Sequence, residues 1–214
     1  MSTNKVEIPR TLPADLQSVM GALDKADQDA KQLVSELTEA DLNWQPGGGT
    51  GWSVAQCLDH LAQINAVYTA ALRAAARAAD PKTTARNGPI RPGWFGRWFI
   101  QAMEPPPRRK FKSPKKGRPA ARRSGQEVLR AFIAAHDELR GLIPEAGALD
   151  LNRVRFRNPF IGLIRFTVGT GMLVINAHDR RHLWQARQVM GQMKAARAGA
   201  GSGTGPARES AESN

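Results

Sequence analysis

The chain has 214 residues, 41% of them hydrophobic, which is enough for one domain with a sizeable core and too few for two comfortable ones. Its formal net charge is +12, but thirteen Lys or Arg against one acid, Glu104, fall between Pro81 and Gly125, and the remaining residues balance. A basic excess confined to one stretch argues against a nucleic-acid-binding domain with a basic folded face, and the body of the protein reads as neutral. The lone cysteine, Cys57, excludes an internal disulfide. Met1 to Arg10 is polar and charged with no apolar run after it, and no uncharged apolar stretch reaches the ~20 residues of a membrane span. The expected location is cytoplasmic.

Residues 1–12 read as a flexible arm ending at Pro13, which suits the first turn of a helix. Leu16, Val19, Met20, Leu23, Ala26, Ala30, Leu33, Val34 and Leu37 then recur at three- and four-residue spacing, predicting a first amphipathic helix of about seven turns. It stops before the breaker cluster Leu42 to Gly49. Ser53 followed by Gln56 is a capping-box pattern with Trp52 ahead of it. A second helix follows through Leu58, Leu61, Ile64, Val67, Tyr68 and Leu72 to about Ala79, where Asp80-Pro81 ends it.

Residues 81–124 form a long connector. Its first half holds an aromatic patch, Trp94, Phe95, Trp98 and Phe99, and its second half, Pro105 to Arg123, is basic, without helical period, and expected to be extended or mobile. Ser124 with Glu127 is a second capping-box pattern, opening a third helix that ends near Ile143-Pro144. Residues 145–166 read as a loop with weak strand alternation at Val154 to Arg157. A fourth helix begins at Thr167 or Thr170 and runs to about Ala198, and residues 199–214 form a disordered tail. Four amphipathic helices with a crossover connector between the second and third describe an all-α four-helix bundle spanning residues 13–198.

Bundles of this kind place metal and ligand sites in the core, on facing helices. On the fourth helix Ile175, His178, His182, Gln185 and Val189 share a narrow sector, so two imidazoles stand one turn apart on an apolar face. On the second, His60 aligns with Gln56 and Ile64. A buried imidazole needs partners for its polar nitrogens, and one divalent metal shared by His60, His178 and His182 supplies them. Three nitrogen ligands leave a coordination position open, the pattern of a catalytic site. The competing reading is three core histidines, each hydrogen-bonded to its own neighbours.

The run Gly51-Trp52-Ser53-Val54-Ala55-Gln56-Cys57-Leu58-Asp59-His60-Leu61, with the later His178-Asp179-Arg180-Arg181-His182-Leu183-Trp184-Gln185, resembles the DinB/YfiT superfamily over about residues 13–195. That family's pattern is W-S-x-x-[EQ]-x-x-x-H-[LI] opening the second helix and H-x3-H-x2-Q on the fourth. The resemblance implies a four-helix bundle holding a divalent metal, often zinc or nickel, with His60, His178 and His182 as ligands. Members include thiol-dependent S-transferases and isomerases, metal-dependent hydrolases, and proteins without assigned activity. The resemblance therefore implies a metal-dependent transferase or hydrolase acting on a small molecule, with a low-molecular-weight thiol as one candidate cosubstrate, and a homodimer.

Other readings stay open beside it. Gln56 and Gln185, each within a turn of a ligand, are candidates to orient the histidines, although Gln56 already has a capping role. Cys57 reads as packing, Trp52 and Trp184 as core or staple residues, and His136 as a boundary residue. No general base is evident. A non-catalytic stress-response or binding module is the rival from another class. A third reading takes residues 94–123, aromatic and then polybasic, as a contact for an anionic membrane or a nucleic acid, against the alternative that the aromatics cap the bundle and the basic run is a solvated loop.

Overall fold

The computed structural model describes residues 12–80, 82, 84–107 and 117–201. The expected arm at 1–12, save for Leu12, and most of the basic run, 108–116, lie outside them; so does the expected tail from 202 onward, whereas its first residues, 199–201, are not disordered but continue the last helix. Among the described residues are seven helical segments: α1 (Ala14–Ser35), α2 (Glu39–Leu42), α3 (Pro46–Gly49), α4 (Val54–Arg77), α5 (Trp94–Met103), α6 (Gly125–Ala146) and α7 (Val168–Gly201). Between the last two lies a small antiparallel pair, β1 (Arg155–Arg157) and β2 (Arg165–Thr167), with Phe156 opposite Phe166. Apart from this pair and one isolated bridge, Ala85 with Leu149, the described residues are all-α. No described helix is long and apolar enough to cross a membrane.

The four long helices are the four the apolar periodicity predicts. Each packs on two others, closing a ring in the order α1, α6, α4, α7. The expected box at Ser53 forms: its Oγ accepts from Gln56 N at 3.1 Å, while Gln56 Oε1 accepts from Ser53 N at 3.0 Å. Satisfying these end groups fixes where α4 starts, and with it the angular position of His60.

Four expectations need correction. The first helix ends at Ser35, because Thr38 and Asp41 cap a separate single turn, α2. Ser124 makes no side-chain cap bond; Glu39, reaching across from α2, accepts Gly125 N with both oxygens at 2.9 and 3.1 Å. A carboxylate at a helix N-terminus is a stronger acceptor than a hydroxyl, and only the tertiary fold brings it there. Pro144 does not end α6, which continues to Ala146; lacking an N–H, it gives no bond to the carbonyl of residue 140, and the helix closes two residues later.

The fourth correction concerns the connector. Its aromatic patch is the helix α5, whose inner residues Phe95 and Phe99 lie on Phe166 with ring centroids 5.8 and 5.1 Å apart. Gly96 permits the approach to α7, since a Cβ there would stand 2.9 Å from Thr170 Cγ2. Residues 117–123 are not loose either. Asp59 accepts from Ala120 N at 2.9 Å and from Arg123 Nη1 at 3.3 Å, and Gln56 Nε2 donates to Ala120 O at 3.2 Å. One turn of α4 thus holds the end of the connector across the bundle.

The apolar core is in two parts. One gathers Leu16, Leu23, Leu72, Leu139, Leu142 and Met172; the other gathers Leu33, Leu58, Leu61, Val128, Phe132 and Leu183. Between them each long helix contributes a buried polar side chain: Asp27, Asn65, His136 and Asp179. His136 Nδ1 donates to Asp27 Oδ1 at 2.7 Å and Nε2 to Asp179 Oδ2 at 3.2 Å, while Asn65 Nδ2 donates to Asp179 Oδ1 at 2.8 Å. Far from lying at a boundary, His136 is fully buried. Burial alone would lower its pKa; the charges and hydrogen bonds of Asp179 and Asp27 outweigh burial and raise it to about 9. A doubly donating imidazolium between two carboxylates is what permits a histidine here.

Candidate metal centre

Beside this polar layer, one residue along α7 from Asp179, the three other histidines of the chain meet. The capped start of α4 places His60, and the i, i+4 spacing on α7 places His178 and His182 one turn apart. Their ring centroids are 5.1 Å (His60 to His178), 4.6 Å (His60 to His182) and 4.6 Å (His178 to His182) apart, and one nitrogen of each lies within 4.8 Å of the others. His60 and His182 are almost wholly buried. All three stand on the apolar helix faces that the spacing predicts, and the fold brings them to one point.

The outer nitrogens explain how the inner ones are aimed. His60 Nδ1 lies 2.5 Å from the Gly117 carbonyl, which only accepts, so Nδ1 carries the proton and Nε2 presents its lone pair. His182 Nδ1 donates to Gln185 Oε1 at 2.9 Å, with the same result. Gln185 therefore touches a histidine of the cluster as its spacing suggested. Gln56 instead spends its amide on Ser53, Gln45, Ala120 and Ala121. Gly117 carries no sequence signal: it sits 57 residues from His60 in a basic, unpatterned stretch. A side chain there would meet Ile64 Cδ1 at 2.5 Å and His60 Cε1 at 3.4 Å, so a larger residue would displace the Ile64 side chain where the connector backbone approaches the His60 ring.

All three imidazoles are held neutral. Burial lowers His60, only partly offset by the Gly117 hydrogen bond and the Asp59 charge. Burial, then the neighbouring His182, His60 and Arg181, press His178 well below its ordinary value. His182 falls to about 3 through burial, His60 and Arg181. Neutral imidazole is the form that binds metal.

Two observations test whether a metal suits these residues. His178 is aimed by no hydrogen bond from outside the cluster, since its buried Nδ1 has no partner and its Nε2 is the nitrogen turned to His60. His60 Nε2 and His178 Nε2 face each other at 3.3 Å. Two ligands ~2.05 Å from one ion at the tetrahedral angle stand about 3.3 Å apart. The donor set fits a divalent ion.

The cluster opens onto a cavity of about 1010 Å³. Its wall is built from Ile64, Tyr68, Val174 and Ile175 of α4 and α7, Phe99 and Met103 of α5, and Phe160 and Ile161 from the β1–β2 loop. Polar groups on the wall are few: Asn158, whose Nδ2 donates to Tyr68 Oη at 2.7 Å, Gln185, Gln188, Gln192, Thr50 and the guanidinium of Arg181. Arg181 Nη1 donates to Ala102 O at 3.1 Å, and burial lowers its pKa. Trp52 and Trp184, expected as core or staple residues, both line the cavity; Trp52 lies 4.8 Å from the His60 ring and 5.7 Å from the His182 ring. Cys57 points away into the second apolar cluster, where burial pushes its thiol up to about 12.

Fold and site together define a helical protein with a buried three-histidine cluster beneath an apolar cavity. The chain matches the family model of the DinB superfamily over residues 22–186, and it belongs to that superfamily. No curated protein matches the chain. Membership and the clustered histidines together support a protein that binds a divalent metal.

Proposed function

We propose that the protein is a metal-dependent transferase that joins a low-molecular-weight thiol to a small electrophilic molecule, with zinc or nickel held by His60, His178 and His182. The observation that carries this reading is the composition of the cavity wall. Three neutral imidazoles, one guanidinium, a few amides and hydroxyls and many apolar side chains line it, with no carboxylate among the described residues. A bound divalent ion supplies Lewis acidity that brings a thiol to its nucleophilic form at neutral pH without a protein base. Hydrolysis would additionally call for a side chain to take up and return a proton of water, and the wall offers no acid of that kind.

The chain's own groups have clear parts in this reading. Gly117 O and Gln185 Oε1 keep Nδ1 of His60 and His182 protonated, leaving each Nε2 turned inward. Trp52 shields two of the rings from water. Tyr68, steadied by Asn158, and the apolar wall accept the body of an uncharged organic acceptor, while Arg181 contributes positive charge where negative charge gathers on it. Cys57, buried and unreactive, does not compete with an external thiol.

The test has two stages. Purified protein is expected to carry about one zinc or nickel ion per chain, and His60→Ala and His182→Ala to carry far less; equal, low content in all three ends the proposal. Loaded protein is then offered electrophilic acceptors with and without small thiols. Consumption only with thiol is the expected result. Consumption without thiol assigns hydrolysis instead, and no consumption leaves a binding module.

A further inference from the structure

The surface bordering the cavity carries a second feature. On α5 the residues Trp94, Arg97, Trp98 and Gln101, at i, i+3, i+4 and i+7, all face solvent, with Trp94 77% and Trp98 57% exposed. Phe95 and Phe99 on the opposite side join α5 to β2 through Phe166, so helix and hairpin form one surface region. At the hairpin tip Leu163 is 99% and Ile161 45% exposed, and Ile161 also lines the cavity. Trp94 and Trp98 touch Phe95 along one edge, at ring-centroid distances of 5.8 and 5.7 Å, and leave most of their apolar surface to solvent.

The charge of the same region is of one sign. Neither α5 nor residues 155–167 contains an Asp or Glu, while Arg97, Arg155, Arg157 and Arg165 are all exposed. Arg157 and Arg165 are direct cross-strand partners, and Arg155 lies on the same face. Like charges directly opposite one another destabilise a pair of strands, and no carboxylate of the described residues pairs with them. A hairpin of two three-residue strands that retains such a pair gains from an anionic surface laid against it.

We infer that α5 and the β1–β2 hairpin form a docking face for an anionic lipid bilayer, with Trp94, Trp98 and Leu163 entering the headgroup region and the arginines meeting lipid phosphates. Indole rings beside guanidinium groups suit the boundary between headgroups and acyl chains. The aliphatic tip decides between a bilayer and a nucleic acid: tryptophans stack on bases as well as they enter lipid, but an exposed leucine on a hairpin has no partner on a phosphate backbone. The docked face would set the cavity edge at Ile161 close to the lipid. The inference does not depend on the metal.

The test is co-sedimentation of the full chain with phosphatidylcholine vesicles, with and without roughly one third phosphatidylglycerol, and in parallel with duplex DNA. Binding to the anionic vesicles, weak binding to the neutral ones and weakening by salt are expected. Trp94→Ser/Trp98→Ser and Leu163→Ser, which leave every charge in place, should each lower vesicle partitioning by about tenfold. Their melting temperatures and metal contents should match wild type, since these side chains are mostly exposed and none lines the cavity. Unchanged partitioning of these variants would assign any retention to charge alone and overturn the inference. So would failure to bind the anionic vesicles, binding to DNA only, or a dimer that the same substitutions dissolve.

Discussion

The buried layer around His136 makes a prediction with a sign and a size. His136 has no exposed surface and stands between Asp27 and Asp179, both nearly as buried. Its pKa of about 9 in the fold, against 6.5 as a free side chain, corresponds to about 3 kcal/mol of stabilisation by the charged form. Because the folded value is the higher one, that contribution is complete below about pH 6.5 and is lost as pH rises through about 9. Replacing the imidazolium with a neutral amide, His136→Gln, leaves Asp179 with Asn65 alone, while Asp27 keeps Arg140 at 2.6 Å. Removing one partner of a buried ion pair costs about 3–5 kcal/mol.

Urea unfolding of wild type and His136→Gln at pH 6.5 and pH 9.5, with chelator present to exclude metal linkage, reads this directly. The two proteins should differ by about 3–5 kcal/mol at the lower pH, and the gap should narrow by about 3 kcal/mol at the higher. Asp27 and the three clustered histidines have folded pKa values displaced downward, so their linkage acts on the acid side of this window, and the linkage of the raised Cys57 thiol, which acts within it, is common to both proteins. A gap that stays constant between the two pH values, or is absent at pH 6.5, would refute the reasoning.

Three further outcomes follow from the contacts around the site and the helix ends. Gly117→Ala forces a methyl toward Ile64 and the His60 ring, and Gln185→Ala removes the acceptor of His182 Nδ1; each should weaken metal binding by about 10–100-fold in competition with a chromophoric chelator. Glu39→Ala should lower stability by about 1 kcal/mol in urea unfolding and Ser124→Ala by much less, because the carboxylate rather than the hydroxyl serves the start of α6. Gly171→Ala should cost about 1–3 kcal/mol in the same assay, since its Cβ would stand 2.6 Å from Leu72 and 2.8 Å from Phe156.

What the chain declares by itself is local. Apolar residues at three- and four-residue spacing mark four long helices, because any helix packed on one side must repeat that way. The box at Ser53 is equally legible, since its donors and acceptors lie three residues apart. His178 and His182 are on one face of α7 by geometry alone, and His60 is inward because Leu58, Leu61 and Ile64 are. What needed the tertiary structure are pairings whose members are remote in sequence. Gly117 with His60, Glu39 with Gly125 and His136 with Asp27 and Asp179 each bring together groups tens of residues apart. No periodicity encodes such a pairing. Those distances also decide the chemistry, because they set which imidazole nitrogen is bare, which histidine carries a charge, and which helix end is capped.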